Sequence, residues 1–235
     1  MTQMPTPPPP GPPRRTIDFA RPFTYVFEDP NWLPKVAIGG LMTLLSMLLI
    51  GIPFIVGYCA RLARNVAAGA PQPLPEWDAW GEDFGEGLKL VVIALIWYAP
   101  MVLLLFVAFG GTAMIGAVSG DSSDAAAMAA SGVFGFAMCL FYGLILVIAV
   151  LLPAALTLAV MRRDFGSGFA FGEIFAYIKA NAANYVLSIL VYLVAGFLSQ
   201  FGVILLCIGV IFTSFWSQLV STHAFAETYR YSPVK

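Results

Sequence analysis

Long apolar runs separated by short charged segments dominate the chain from Val36 onwards. The first run, Val36–Ala60, contains Gly51-Ile52-Pro53 near its middle. A membrane-spanning helix needs about 20 residues, and Gly-x-Pro is typical of a turn. The pattern therefore predicts a tight helical hairpin over residues 33–67, with one long, kinked helix as the alternative.

Three further apolar regions predict the remaining spans. Residues 88–109 form one span and residues 132–161 another, the latter long enough to require tilt or a bend near Pro153. Residues 184–222 predict a second hairpin, with its turn at 199–202. Together these segments predict an all-α polytopic membrane bundle of six transmembrane helices.

Composition and charge support a membrane environment. Of the 235 residues, 60% are hydrophobic and 11% charged, with a mean hydropathy of +0.85, whereas about a quarter of a soluble domain is charged. With six spans, all 12 Lys and Arg residues fall on the side of the termini. The only charged residues in the loop between the third and fourth spans are Asp121 and Asp124. By the positive-inside rule this predicts a multi-pass protein of the cell (plasma) membrane with both termini cytoplasmic.

Short amphipathic segments precede the spans. In LPEWDAWGEDF, residues 74–84, Trp77, Trp80 and Phe84 recur at helical steps, which predicts an interfacial helix over residues 74–87. A similar stripe predicts an interfacial helix over residues 169–180. Both contain aromatic-Gly-Glu-x-Phe, and residues 22–27 form a weaker third copy, so we interpret the chain as three repeated units, each an interfacial segment followed by two spans.

The polar face of the first interfacial segment is acidic. Its carboxylates are Glu76, Asp78, Glu82, Asp83 and Glu86. Surface helices usually present Lys and Arg to anionic lipid, so these acids are expected to prefer basic protein groups. Arg61 and Arg64, one helical turn apart, are the nearest candidates. The alternative is a free acidic face that binds a protein partner at the cytoplasmic surface, with Trp77, Trp80, Phe84 and Glu82 as candidate contacts.

Catalytic chemistry has little support in the sequence. His223 is the only histidine, and no Walker A, G-x-S-x-G or H-E-x-x-H pattern occurs. Cys59, Cys139 and Cys207 stand apart in apolar runs without a C-x-x-C pair. We therefore expect no enzymatic activity, no cofactor and no metal, and the lack of a basic, aromatic-rich patch argues against nucleic acid.

Two stripes of small or polar side chains lie within the apolar runs. The last span carries Ser214, Ser217, Gln218 and Ser221 on one face, either for hydrogen bonds to neighbouring helices or as one wall of a polar cavity. The fourth span carries a ladder of Ser131, Gly135, Cys139 and Gly143. This ladder permits close helix packing, either inside the bundle or in an oligomer with a second copy.

The run GYCARLARNVAAGAPQPLPEWDAWGEDFGEGLK, residues 57–89, resembles a family of prokaryotic multi-pass membrane proteins catalogued as domain of unknown function 4013. The ending SQLVSTHAFAETYR is similar to that of the family. The resemblance implies an integral membrane domain over residues 16–230, but no activity and no catalytic residues. Residues 1–15 are predicted to be a disordered proline-rich tail, and residues 231–235 a short second tail.

Two functions fit these features. The first is a non-enzymatic accessory or scaffold subunit that binds a partner through the acidic segment and the proline-rich tail. The alternative is a permease or carrier for a neutral or amphiphilic small molecule, suggested by the repeat and the Ser/Gln stripe. The predicted spans carry no ionisable residue at their centres, which argues against proton-coupled transport.

Overall fold

The apolar runs form helices of very different lengths. The structure, a computed structural model, describes residues 16–119, 124–204 and 209–234, and these ranges contain no strand, which confirms the all-α class for them. The helices are α1 (Arg21–Thr24), α2 (Trp32–Leu45), α3 (Gly51–Ala68), α4 (Trp80–Ser119), α5 (Asp124–Arg162), α6 (Phe171–Ala180), α7 (Ala182–Gln200) and α8 (Gly209–Arg230). Short 3₁₀ turns lie at Tyr25–Glu28, Ser46–Leu48, Gly166–Phe169 and Phe201–Ile204.

Helix length supports a membrane protein. Within the described residues, three helices are long and apolar enough to cross a bilayer: Trp80–Val118, Ala127–Arg162 and Ala182–Ile204. Trp32–Leu48 is a shorter apolar helix. Six crossings remain a prediction.

The first hairpin consists of two helices rather than one kinked helix. After the 3₁₀ turn Ser46–Leu48, Leu49 adopts a left-handed conformation with φ 65°, and α3 starts at Gly51. A Cβ on Gly51 would lie 2.0 Å from the carbonyl oxygen of Met42, so only glycine allows the two helices to meet this closely. The hairpin predicted over residues 33–67 therefore has its turn at residues 46–50.

The predicted interfacial helix over residues 74–87 is not a separate element. Residues 74–79 are not helical, and α4 starts at Trp80 and continues through Pro100 to Ser119. The backbone carbonyls of Leu74 and Pro75 instead accept hydrogen bonds from Lys35 and Tyr58. These long-range contacts, together with the restricted backbone before proline, hold the segment in a non-helical conformation.

The other predicted boundaries also shift. The spans predicted at 88–109 and 132–161 lie within α4 and α5, which extend beyond them at both ends, and in α5 the alanine-rich residues 125–130 favour continued helix. The helix predicted at 169–180 is α6, which begins at Phe171 after a 3₁₀ turn.

The second predicted hairpin is present, and part of the predicted C-terminal tail is packed. The hairpin predicted at 184–222 consists of α7 and α8. Residues 199–202, predicted as its turn, belong to the end of α7 and to the 3₁₀ turn Phe201–Ile204. Residues 1–15 and 205–208, Cys207 among them, lie outside the described residues. Ser232, predicted to lie in a tail, is 7% exposed, and its hydroxyl accepts a hydrogen bond of 2.8 Å from the amide of Asn181.

The core lies at one end of the bundle, where α3 packs between α4 and α8. A Cβ on Gly57 would meet the backbone oxygen of Asp83 at 1.9 Å, and one on Gly87 would meet that of Pro53 at 1.7 Å, so the α3 and α4 backbones are in direct contact. The end that carries Lys35, Arg61, Arg64 and Arg162 is named the charged end here. The largest fully buried side chains are Tyr25, Tyr58, Tyr177, Tyr185 and Phe215.

The small-residue ladder on α5 lies outside this core. Ser131 and Cys139 are exposed, and Cβ atoms built on Gly135 and Gly143 would meet nothing within 4 Å. The ladder therefore does not pack against other helices in the described part of the chain, and its use in an oligomer remains a prediction.

Candidate functional site

An ion-pair network at the charged end joins α3 to the start of α4. The Nε and Nη2 atoms of Arg61 each donate a hydrogen bond of 2.7 Å to the carboxylate of Asp83. The same guanidinium donates to Asp78 Oδ1 at 3.0 Å and to the backbone oxygen of Glu76 at 2.8 Å. This guanidinium holds the pKa of Asp78 below its usual value. Because Arg61 is 17% exposed and Asp83 is 1% exposed, their bidentate pair is largely shielded from water.

Arg64 makes the second pair between these helices. Its Nη1 and Nη2 atoms donate to the two carboxylate oxygens of Glu86, the latter at 2.7 Å. The sequence correctly predicted that Arg61 and Arg64 pair with carboxylates of the acidic segment, but it did not identify which carboxylate each arginine binds. Glu82, one of the candidate partner contacts, is exposed and has no ion pair among the described residues.

Sequence reasoning missed a second basic centre, at Lys35. Its ammonium group contacts Asp29 Oδ2 at 2.7 Å and Glu76 Oε1 at 2.8 Å, and it donates to the backbone oxygen of Leu74 at 3.2 Å. The Lys35 and Asp29 side chains are each 6% exposed. The signal in the sequence was a lysine at the edge of an apolar run, six residues after an aspartate. Two residues six positions apart do not face each other on one helix, so the sequence gave no reason to pair them.

The aromatic residues of the acidic segment do not form a single lipid-facing stripe. Trp77 lies before α4, stacks on Tyr58 with ring centroids 4.2 Å apart, and donates from Nε1 to the backbone oxygen of Lys35 at 3.0 Å. Trp80 and Phe84, each 38% exposed, lie on α4 and pack against Phe54. The predicted stripe is therefore wrong for Trp77, because the helix starts after it and its indole turns towards the core.

A cavity of about 510 Å³ lies between α3, α4, α5 and α8, and Tyr192 of α7 also lines it. Most of its wall is apolar and comes from α3 and α5, including Val56, Ala60 and Ile148. Exposed residues from different helices, among them Ala149 and Gln218, also line it, so it is open at the side of the bundle. No Asp, Glu, Lys, Arg or His is among its lining residues.

Three of the four residues in the predicted polar stripe line this cavity. Ser217, Gln218 and Ser221 lie on its wall, whereas Ser214, one turn away on α8, is not among the lining residues. The Ser221 hydroxyl donates to the backbone oxygen of Ser217 at 2.7 Å. The amide of Gln218 has no hydrogen-bond partner in the described part of the chain.

The remaining candidates for chemistry in the described part of the chain are Cys59, Cys139 and His223. No group of three or more His, Cys, Asp or Glu residues suitable for a metal occurs among the described residues. Cys59 and Cys139 are free thiols on different helices. His223 is 6% exposed and packs on the ring of Tyr25 at 4.3 Å.

Comparison with known proteins adds a family but no activity. The model of the family described as "Protein of unknown function (DUF4013)" matches residues 41–208. No curated protein matches the chain. No solved structure matches it either.

Proposed function

The chain belongs to the family described as Protein of unknown function (DUF4013), and from its own geometry we propose that it binds a neutral amphiphilic small molecule in the α3–α5–α8 cavity, as a carrier or permease of the cell membrane. A cavity with apolar walls and a few convergent polar groups is the usual form of a small-molecule site. The observation that carries the proposal is the position of Ser217, Gln218 and Ser221 on the wall of a cavity of about 510 Å³.

The wall chemistry defines the ligand class. Hydroxyl and amide groups can donate and accept hydrogen bonds, and an unpaired Gln218 amide offers both functions. A charged headgroup would lose its hydration without an opposite charge to replace it, which is costly in an apolar site. The ligand is therefore an amphiphile whose head is an alcohol, ester or amide, and it enters through the lateral opening near Ala149.

The membrane arrangement follows from the charges. All the basic residues among the described ranges lie at or near the helix ends that meet at the charged end, where Arg61, Arg162 and Lys35 make their pairs. By the positive-inside rule, this end and both termini are cytoplasmic. The two long antiparallel helices α4 and α5 support a multi-pass arrangement.

The accessory or scaffold function has weaker support in the geometry. Its motivation was an acidic face free for a partner, but Arg61, Arg64 and Lys35 pair with four of the five carboxylates that the face contains. Only Glu82 is left with no ion pair among the described residues. Charge complementarity therefore favours internal use of this surface.

Binding of a fluorescent monoacylglycerol to the purified full chain tests the proposal. Ala149→Trp fills the cavity from an exposed position, and Gln218→Leu with Ser221→Ala removes two of its polar side chains. Loss of two hydrogen bonds of about 1 kcal/mol each predicts roughly tenfold or greater weakening. Matched controls are Ala129→Trp, exposed on the same helix but away from the cavity, and Ser214→Ala on the same face of α8.

Unlabelled competitors with the same chain and different heads define the class. 1-Oleoylglycerol should displace the probe at lower concentration than oleate or oleylamine. Equal binding by the cavity variants and their controls would place the ligand elsewhere, and stronger displacement by either charged competitor would contradict the neutral class.

A further inference from the structure

We infer that the α2–α3 hairpin is re-entrant: it enters the apolar layer from the charged end and turns back inside the layer without crossing it. Its turn then lies among lipid acyl chains. This inference concerns lipid contact and topology and does not depend on the identity of any cavity ligand.

Both arms of the hairpin are too short to cross. On α3, the axial distance from Arg61 to Gly51 is about 15 Å at the helical rise of 1.5 Å per residue. From Lys35 to Leu48, along α2 and the following 3₁₀ turn, it is about 20 to 23 Å, because a 3₁₀ turn rises about 2 Å per residue. The hydrocarbon core of a bilayer is about 30 Å thick. Any tilt of the hairpin shortens its reach further.

The charged contacts fix where these arms begin. Arg61 is paired with Asp78, whose side chain is 72% exposed, and Lys35 is paired with Glu76, whose side chain is 60% exposed. Exposed carboxylates on the outer side of both pairs place Arg61 and Lys35 at the water boundary. The reach of the hairpin is therefore measured from this level.

The turn itself has the surface of a lipid contact. Met47, Leu48, Leu49 and Ile50 are 80%, 68%, 73% and 58% exposed, and the turn has no charged residue. A turn that emerged on the opposite side would present this apolar surface to water. Large contiguous apolar surfaces of this kind mark interaction sites.

The backbone of the turn is compact enough for an apolar environment. Exposed polar backbone groups are costly in the hydrocarbon layer. The N–H of Leu49 donates to Ser46 O at 2.9 Å, and the Ser46 hydroxyl donates to Met42 O at 2.9 Å. Only Leu49 and Ile50 separate the 3₁₀ turn from α3, so few groups are left without an internal partner.

The re-entrant hairpin leaves at most four crossings, α4, α5, α7 and α8, instead of six. An even number of crossings keeps both termini on one side, so the positive-inside pattern is the same in the two arrangements. For this reason the charge distribution along the sequence cannot distinguish them. Direct measurement of the position of the turn can.

Cysteine labelling in sealed membrane vesicles tests the inference. In a folded background with Cys59, Cys139 and Cys207 replaced by alanine, single cysteines are introduced as Met47→Cys at the turn, Asp124→Cys at the far end of α5, and Glu82→Cys at the charged end. All three positions are exposed. We expect a membrane-impermeant maleimide to label Asp124→Cys from outside and Glu82→Cys from inside. The Met47→Cys variant should not be labelled from either side of the intact membrane, and it should be labelled fully once the membrane is dissolved in detergent.

Bimane attached to the Met47→Cys variant gives the depth. Quenching should be stronger with a nitroxide near the end of the lipid chain than with one near the headgroup. External labelling of Met47→Cys would show a full crossing, internal labelling a surface hairpin, and protection that persists in detergent a contact with protein; each of these results would overturn the inference.

Discussion

Removal of the buried carboxylate of Asp83 should destabilise the protein far more than removal of its neighbour Glu82. Asp83 is 1% exposed and accepts two 2.7 Å hydrogen bonds from Arg61. Breaking a buried ion pair by removing one partner costs about 3–5 kcal/mol. Arg61 keeps Asp78 at 3.0 Å and the backbone oxygen of Glu76 at 2.8 Å, so Asp83→Asn should cost about 3 kcal/mol, near the low end of that range.

The assay is thermal unfolding of the purified protein in detergent. For a chain of this size, about 3 kcal/mol corresponds to a decrease in Tm of roughly 6–12 °C. Glu82→Gln is the matched control, because Glu82 is exposed and unpaired in the described residues, and it should change stability by less than about 0.5 kcal/mol. The double variant Arg61→Met with Asp83→Leu should unfold at a higher temperature than Asp83→Asn, since it leaves no buried charge unpaired. Equal Tm values for Asp83→Asn and Glu82→Gln would refute the reasoning.

The same unfolding assay should give opposite signs for two glycines of α4. Gly87→Ala should lower Tm, because its Cβ would overpack against the backbone oxygen of Pro53 at a cost of about 1–3 kcal/mol. Gly85→Ala should raise the free energy of unfolding by about 0.5–1 kcal/mol, because there is open space around its Cβ. Equal Tm shifts in the two variants would contradict the close contact between α3 and α4. At the charged end, the Ser167 hydroxyl and backbone N–H hold the pKa of Asp164 below its ordinary value. Ser167→Ala should raise the pKa of Asp164 in an NMR titration. A lowered carboxyl pKa stabilises the fold above the ordinary pKa and loses this effect as the pH falls through the folded-state pKa, so the Tm difference between Ser167→Ala and the unchanged protein should shrink in acid. An unchanged pKa of Asp164 would rule out this role for Ser167.

The fold class was predictable because it depends on sums over local sequence. Apolar runs and turn residues located both hairpins and both long spans. The sequence also predicted the pairing of Arg61 and Arg64 with the acidic segment, because few carboxylates lie near the end of the helix that carries these two arginines. Helix boundaries were less predictable, because the segment before Trp80 is held by hydrogen bonds to Tyr58 and Lys35, which are distant in the chain.

At the candidate cavity too, the sequence predicted the face of a helix but not what that face contacts. The helical spacing placed Ser214, Ser217, Gln218 and Ser221 on one face of the last span, but a packing role and a cavity role have the same pattern. The positions of α3 and α5 decide that Ser217, Gln218 and Ser221 line an open cavity while Ser214 does not.

By itself, the sequence determined that this protein is helical and that its helices suit an apolar solvent, and it predicted that the basic residues share one side. These properties follow from hydropathy, helical periodicity and charge, which are fixed by residues close together in the chain. Only the tertiary structure decided that Arg61 binds Asp83, that Trp77 turns inward to Tyr58, and how far the first hairpin extends beyond the charged end. These depend on the packing of helices that are distant in sequence, where a one-turn displacement changes every partner without changing the pattern along the chain.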